Sequence, residues 1–387
     1  MNKSLFVFIS IMILLNVGSP FSTANNFLPA MVWPGEEWES STPEEQGMNS
    51  TKFVEMNQFL EDENAVFDSI LIIRNGYIVF EEYPARYSNT SRHVIYSVTK
   101  SFTSTLIGIA NDLGYLEINQ SVMEIFSDWT IANVDSQKES ITIEHLLTMT
   151  SGLGWNEWDP QLPNDRAIME SSDNWVQYTL GREMVHEPGE YFEYSTGTSH
   201  LLSAIINVTT GQSTLSFAEE HLFGPIGIQN PNWPTDPQSI HSGGNLLSMT
   251  PRDMARLGHL YLNDGLWDAN QIISTDYVNQ STETRRIIQT DTGYGWQWWS
   301  TPSRGSFEAR GAFGQFIVVI PDWDIVVVVT DNGNTGGMLW PMIDNWIIPA
   351  AQGLASAIAI DPIIPLIVAS AVTPIVIVSV VWLKRKQ

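Results

Sequence analysis

Two groups of β-rich segments, one near each end of the sequence, restrict the folds that are open to this chain. In the first group, residues 69–74 and 77–83 are joined by Asn75-Gly76, a pair that favours the type I′ turn of a β-hairpin. Between residues 97 and 262, helical patterns and loops prevail instead.

The second group of strands lies near the carboxyl end. Strands are predicted over residues 293–299, 316–320 and 324–330, and the last is a continuous, mainly β-branched run that is typical of a buried central strand. Strands at both ends with helices between them predict one sheet that is assembled from distant segments and interrupted by a helical insertion.

The composition excludes several classes of function. Asp and Glu number 43 against 18 Lys and Arg, and the resulting formal charge of −25 repels phosphate backbones, so no nucleic acid partner is expected. The chain has no cysteine, which excludes disulfides and thiol catalysis. Its histidines show no metal-ligand spacing, and we expect neither a metal nor a cofactor.

Hydrophobic segments at both ends predict export and membrane attachment. Residues 1–24 have the basic start, the short apolar run and the small terminal residues of a signal peptide. Residues 361–383 predict a membrane span, because about 20 apolar residues are followed at once by the basic tail 384–387. We therefore expect one extracytoplasmic domain over residues 25–355, held at the cell membrane. An uncleaved amino-terminal anchor, a buried carboxyl-terminal helix and a tail removed after export remain alternatives.

A serine stands three residues before a lysine at the start of the helix predicted over residues 97–113. This spacing places Ser97 and Lys100 on one helix face. Lys100 lies in an otherwise apolar stretch, where loss of hydration lowers the lysine pKa and lets the neutral amine accept a proton. The helix amino terminus also favours negative charge developing on Ser97. Most Ser-x-x-Lys tetrapeptides are surface helix, so this pair alone is weak evidence for a nucleophile.

Five segments, in order, resemble the serine β-lactamase and penicillin-binding protein superfamily. The first contains Ser-x-x-Lys, and the others are similar to the family patterns H-L-L-T-M-T-S-G-L, P-G-x-x-F-x-Y-S-N, T-P-x-D-x-A-R-x-G and G-x-G-G-Q. They lie at residues 96–102, 143–153, 188–196, 250–258 and 311–315. The pattern looks closest to the class C-like branch that includes 6-aminohexanoate-dimer hydrolase and related esterases.

This resemblance implies a fold and a set of site residues. The fold is of mixed α/β (α+β) class, an antiparallel sheet flanked by helices with an all-helical insertion. Ser97 would be the acylated nucleophile, Lys100 its activator, and Tyr194 a proton relay whose neighbours could drive it toward the phenolate. The backbone N–H groups of Ser97 and Ala312 would form the oxyanion hole.

Two departures from the family pattern concern substrate binding. Thr196 stands where β-lactamases usually have an asparagine, and it offers one donor instead of two. Ala309 stands in place of the lysine of Lys-Thr-Gly, while Gly311 keeps the glycine. Arg310 is expected to point to the other face of its strand, because side chains alternate. We expect Thr196, Ala309, Gly311 and Trp155 at the substrate cleft, and loss of the lysine argues against penicillins as substrates.

The resemblance therefore implies a serine hydrolase that acts on small esters or amides through an acyl-enzyme on Ser97. One alternative is a D-Ala-D-Ala-type peptidase or a β-lactamase, which stable labelling by fluorescent penicillin would favour. An alternative from another class is a membrane-anchored ligand-binding sensor without turnover. Hydrolysis of p-nitrophenyl esters separates the enzyme from the sensor.

Overall fold

The computed structural model describes residues 31–83, 86–333, 335 and 337–352. The predicted signal peptide, and the predicted span and tail at 361–387, lie outside these residues. Within the described part of the chain, no helix combines the length and the apolar character that a membrane span requires.

Twelve strands form in the described residues, and eight of them make one sheet in the order β2-β1-β12-β11-β10-β9-β8-β7 with every neighbouring pair antiparallel. The strands are β1 (Ser69–Arg74), β2 (Tyr77–Glu82), β3 (His93–Val94), β4 (Ser248–Met249), β5 (Leu266–Trp267), β6 (Asn270–Gln271), β7 (Arg286–Gln289), β8 (Thr292–Tyr294), β9 (Trp299–Thr301), β10 (Ser306–Gly311), β11 (Gln315–Ile320) and β12 (Ile325–Thr330).

The amino-terminal hairpin and the carboxyl-terminal strands pair directly. Strand β1 pairs with β12 from Ser69 opposite Thr330 to Arg74 opposite Ile325. The hairpin turn has positive φ at Asn75 (52°) and Gly76 (80°), as a type I′ turn requires. The structure thus confirms one antiparallel sheet built from distant segments, with β12 fully buried as an interior strand.

The prediction of a single strand over residues 293–299 is wrong. The chain forms β8 and β9 instead, two antiparallel strands separated by a bend. Gln297 has a φ of 61° at this bend, and its side-chain amide donates to the carbonyl oxygens of Leu146 and Leu147. These long-range bonds hold a bend that the local β pattern does not reveal.

The helices flank the sheet, and most lie between β2 and β7 in sequence, which is the predicted helical insertion. They are α1 (Ser50–Asp62), α2 (Val98–Asp112), α3 (Val122–Ile125), α4 (Ser136–Glu139), α5 (Ile143–Leu147), α6 (Asp165–Ser171), α7 (Trp175–Leu180), α8 (Thr196–Thr210), α9 (Thr214–Ala218), α10 (Gly224–Ile226), α11 (Pro251–Leu262), α12 (Thr275–Thr282) and α13 (Leu339–Met342).

The sheet separates two hydrophobic cores. Along β12, Val326 and Val328 point into the core formed with α2, α8 and α11, whereas Val327 and Val329 point into the core formed with α1 and α13. Successive side chains of a strand alternate between faces, so a strand covered on both sides is apolar throughout. Helix α2 packs against α8 and strand β10, and the candidate site lies where these three elements meet.

Candidate active site

Ser97 lies at the amino terminus of α2, where the chain turns sharply. The preceding residue, Tyr96, has a φ of 46°, a conformation that a bulky L-residue rarely adopts and that often marks a functional site. Directly after this turn the helical bonds begin, with the Val98 N–H donating to Ile95 O at 3.1 Å. Ser97 is half-buried, and its side chain borders a cleft.

The Lys100 ammonium is buried one helical turn further on, with 1% of the residue exposed. Its Nζ lies 3.2 Å from Ser97 Oγ, 3.2 Å from Thr196 Oγ1 and 2.7 Å from Gly244 O. Burial lowers the pKa of Lys100 to about 8, and the charge of Glu157 opposes this shift. A lysine in this state is neutral in a useful fraction of molecules near neutral pH, so it can accept the Ser97 proton.

Tyr194 covers the other side of the lysine. Its ring centroid lies 4.9 Å from Lys100 Nζ, and the ring packs against those of Trp158 and Trp299. Burial raises the pKa of Tyr194 well above 10, and hydrogen bonding with Ser97 offsets only part of that rise. The sequence-based idea of a phenolate therefore does not fit this environment, because the phenol keeps its proton at neutral pH.

Strand β10 closes the site from the opposite side. A Cβ atom on Gly311 would lie 2.5 Å from Ile95 O, so only glycine allows the strand to approach the turn before Ser97 this closely. The strand then enters the turn that contains Ala312. Ser97, Gly311 and Ala312 all border the same cleft, as the sequence analysis expects.

The structure places Ala309 away from the cleft. Its methyl group is fully buried in the core on the α2 side of the sheet, and the side chain does not reach the cleft surface. Arg310 borders the cleft, but its guanidinium donates to Glu308 Oε2 at 2.8 Å and lies over the ring of Trp340. Trp340 packs against the core on the far face of the sheet, but the guanidinium also lies over the ring of Trp299, which lines the cleft, so Arg310 is not confined to the other face as strand alternation predicts.

The cleft has a volume of about 440 Å³ and is lined by aromatic, charged and backbone groups. Its lining residues are Tyr96, Ser97, Glu157, Trp158, Arg166, Phe192, Glu193, Tyr194, Asn245, Ile288, Trp299, Arg310, Gly311 and Ala312.

Trp155 and Thr196 lie behind this surface. Trp155 is buried with Met169 and Trp175, and its indole N–H donates to Glu157 Oε1 at 2.8 Å. Thr196 is 2% exposed, and its hydroxyl lies between Lys100 and Glu157 instead of facing the cleft. The structure therefore gives neither residue a place on the cleft wall, because both are packed beneath Glu157.

The sequence analysis missed several residues that shape the site. Glu157 comes from irregular chain between α5 and α6, and Arg166 comes from the start of α6, where no periodic pattern identifies them. Gly244, which lies on irregular chain before β4, supplies a backbone carbonyl to Lys100. In the sequence, only the proximity of Glu157 to Trp155, which is expected at the cleft, could have indicated that Glu157 lies near the site.

A serine hydroxyl beside a buried lysine of lowered pKa, with a tyrosine phenol and a cleft in front, defines a serine hydrolase. The chain belongs to the Beta-lactamase family, whose model matches residues 56–348. This match confirms the family resemblance and the fold expected from the sequence motifs.

Similar proteins include hydrolases of several kinds. The 6-aminohexanoate-dimer hydrolase of Paenarthrobacter ureafaciens is 24% identical over 339 residues, covering 81% of either chain. Among solved structures, EstCE1, described as a hydrolase with promiscuous acyltransferase activity, matches with a TM-score of 0.65 and 17% identity over 76% of this chain and 97% of its own. A D-stereospecific amidohydrolase from Streptomyces sp. matches at 0.60 with 17% identity, over 76% of this chain and 98% of its own. At these identities the structural matches show the shared fold.

Proposed function

We propose that the protein hydrolyses small esters or amides through an acyl-enzyme formed on Ser97. The observation that carries this proposal is the 3.2 Å contact between Ser97 Oγ and the Nζ of a buried lysine whose pKa is about 8. Ser97 is also the point where the helix amino terminus meets the cleft. These features supply a base, a nucleophile and access for a substrate.

Acylation begins when neutral Lys100 takes the proton of the Ser97 hydroxyl as Oγ attacks the substrate carbonyl. The tetrahedral oxygen receives hydrogen bonds from the backbone N–H groups of Ser97 and Ala312, each worth about 3–4 kcal/mol in the transition state. The Tyr194 phenol then protonates the leaving alcohol or amine and regains a proton from the Lys100 ammonium. The products are the acyl-serine, the released group and a lysine that is neutral again.

Deacylation repeats this chemistry with water in place of the serine hydroxyl. A water molecule attacks the acyl carbonyl and loses its proton to Lys100, and the proton passes to Ser97 Oγ as the acid leaves. Each proton that is removed is returned, so the step needs no cofactor or external base.

The cleft favours substrates other than penicillins. Its wall includes Trp158, Phe192 and Trp299, which suit an apolar acyl or leaving group. The position that holds a lysine in β-lactamases is a buried alanine here, and the adjacent Arg310 is paired with Glu308. The names of two similar proteins, a 6-aminohexanoate-dimer hydrolase and a hydrolase with promiscuous acyltransferase activity, support the same choice.

A fluorophosphonate probe and a substrate panel test this function on purified residues 25–355. We expect the wild-type protein to be labelled and to hydrolyse p-nitrophenyl esters or linear amides faster than β-lactams, and we expect Ser97→Ala to lose both properties. Undiminished labelling of the S97A protein would remove Ser97 from the mechanism. Stable labelling by fluorescent penicillin would favour a peptidase or lactamase instead.

We propose further that the enzyme acts outside the cytoplasm and is held at the cell membrane by residues 361–383. The sequence supports this through the uncharged run Pro362 to Leu383 and the Lys384-Arg385-Lys386 cluster behind it. The full chain should sediment with membranes after an alkaline carbonate wash, whereas a chain ending at residue 355 should not. Release of the full chain by the wash would exclude a spanning anchor.

A further inference from the structure

We propose that Glu157 is a positioning residue, which holds the Thr196 hydroxyl as an acceptor for Lys100 and thereby turns the lone pair of the amine toward Ser97. This inference rests on the proposed function and extends it to a residue outside the family motifs. It concerns how the base is oriented, since Glu157 does not contact the Ser97 oxygen.

The Glu157 carboxylate accepts three hydrogen bonds. The Thr196 backbone N–H and the Trp155 indole N–H both donate to Oε1, and the Thr196 hydroxyl lies 3.1 Å from Oε2. An ionised carboxylate can only accept, and a threonine hydroxyl has a single proton. The hydroxyl proton of Thr196 therefore points to Glu157. The threonine oxygen then presents only lone pairs to Lys100.

This orientation decides how the lysine bonds its neighbours. Neutral Lys100 has two N–H donors and one lone pair, and it has three partners. Gly244 O can only accept, and Thr196 Oγ1 is held as an acceptor, so these two contacts use both donors. The remaining contact, to Ser97 Oγ, is left for the lone pair, which is the arrangement that general-base catalysis needs.

The surrounding structure holds Glu157 in this place. Thr196 is the first residue of the fifteen-residue helix α8, and the positive end of that helix stabilises a carboxylate at its amino terminus. The Trp155 ring packs against Gly197, where a Cβ atom would lie 2.5 Å from the indole. Trp155, which the sequence analysis expects at the substrate cleft, thus supports Glu157 instead.

Several charges shift the pKa of Lys100, so the pH dependence of the rate provides a second measurement of the role of Glu157. The Glu157 charge raises the pKa of Lys100, Arg166 lowers it and Glu170 raises it, while the Tyr194 ring covers the ammonium. Arg166 and Glu170 form an ion pair with each other at 2.9 Å. Removing the Glu157 charge should therefore lower the Lys100 pKa. In a plot of kcat/KM against pH, the acid limb, where the rate rises as Lys100 loses its proton, then moves to lower pH.

The test compares Glu157→Gln with the wild-type protein. Glutamine keeps the shape, but its amide N–H can donate to Thr196 Oγ1 and free the threonine proton to compete for the lysine lone pair. We expect fluorophosphonate labelling and kcat to fall about tenfold or more, as for loss of one oriented charged hydrogen bond. We also expect the acid limb to move to lower pH, which a merely structural role would not cause.

A double-mutant cycle with Thr196 sharpens the test. Thr196→Val removes the hydroxyl and should cost labelling rate, whereas Thr196→Ser keeps it and should cost much less. Once the hydroxyl is absent, adding E157Q should have little further effect on kcat. If E157Q does not fold, the comparison of T196V with T196S decides, and equal labelling rates of the two would overturn the proposal.

A neighbouring carboxylate provides the matched control. Glu193 borders the same cleft, and none of the described contacts is a hydrogen bond to its carboxylate. Glu193→Gln removes the same charge and should lower kcat less than E157Q does; an equal loss would overturn the proposal.

Two further outcomes separate this inference from others. Wild-type labelling of E157Q with accumulation of an acyl-enzyme would mean that Glu157 acts on the deacylating water, which also overturns the positioning role. Undiminished labelling of S97A would overturn the proposed function itself. If S97A abolishes labelling while E157Q leaves labelling and turnover unchanged, only the positioning role fails.

Discussion

The two sides of the cleft differ in how they use the family pattern. On the side formed by α2 and α8, Ser97, Lys100 and Tyr194 lie together, and the lysine has three hydrogen-bond partners. On the side formed by β10, the lysine of the family pattern is replaced by the buried Ala309, and the charge of Arg310 is used in an ion pair with Glu308. The groups proposed for acylation therefore lie together on one side, whereas the other side lacks the lysine that anchors penicillin-like substrates in the family pattern.

The largest expected effect comes from the α2 side. Lys100→Met removes the base but fills much the same buried volume, and we expect kcat/KM for p-nitrophenyl esters to fall about 10³-fold or more. The fold should survive, because methionine fills nearly the same buried space, and the loss of the donor to Gly244 O costs only part of the free energy of unfolding. Activity within tenfold of the wild type would show that another group takes the Ser97 proton.

The next largest effect is expected from a change in the contact between β10 and the turn before Ser97. Gly311→Val places carbon atoms against Ile95 O and must move β10 away from Ser97. A displacement of about 1 Å in a site of this kind costs on the order of 100-fold in rate. Gly35→Ala is a suitable control, since a Cβ atom there meets nothing within 4 Å. Equal activity of both variants would contradict the close approach.

The β10 side should affect stability more than chemistry. Arg310→Met leaves the fully buried Glu308 without its cation, and we expect the free energy of unfolding to fall by about 2 kcal/mol, a value reduced for the partly exposed arginine. Chemical denaturation measures this change. Replacing both partners, with Glu308→Gln added, should recover part of the loss. A penicillin-labelling rate that depends strongly on Arg310 would mean that this cation serves recognition after all.

The smallest expected effect is a shift in the pH dependence of kcat/KM. The Lys100 pKa of about 8 lies below the ordinary lysine value, so the neutral, active amine increases as the pH rises through about 8. We expect kcat/KM to rise along an acid limb centred there. Arg166 holds this pKa down, so Arg166→Gln should move the limb to higher pH, opposite to E157Q. Limbs that move in the same direction would contradict the electrostatic account.

The sequence predicts one side of the cleft better than the other for a physical reason. Ser97 and Lys100 meet because helix spacing alone brings them together, and the β1–β12 pairing follows from two strongly apolar strand patterns. Thr196 was predicted as a substrate contact, but its hydroxyl is used by Glu157, a residue on irregular chain whose position depends on long-range bonds. Trp155 was also predicted at the cleft, but it is buried beneath Glu157 and donates a hydrogen bond to that carboxylate.

The most direct test of the central claim is to map the covalent adduct. After reaction with a fluorophosphonate and digestion with trypsin, we expect one modified peptide, residues 93–100, with the phosphonate on Ser97. Lys100→Met should slow formation of this adduct without moving it to another residue. An adduct on a different serine, or labelling that persists at full rate in S97A, would contradict the account.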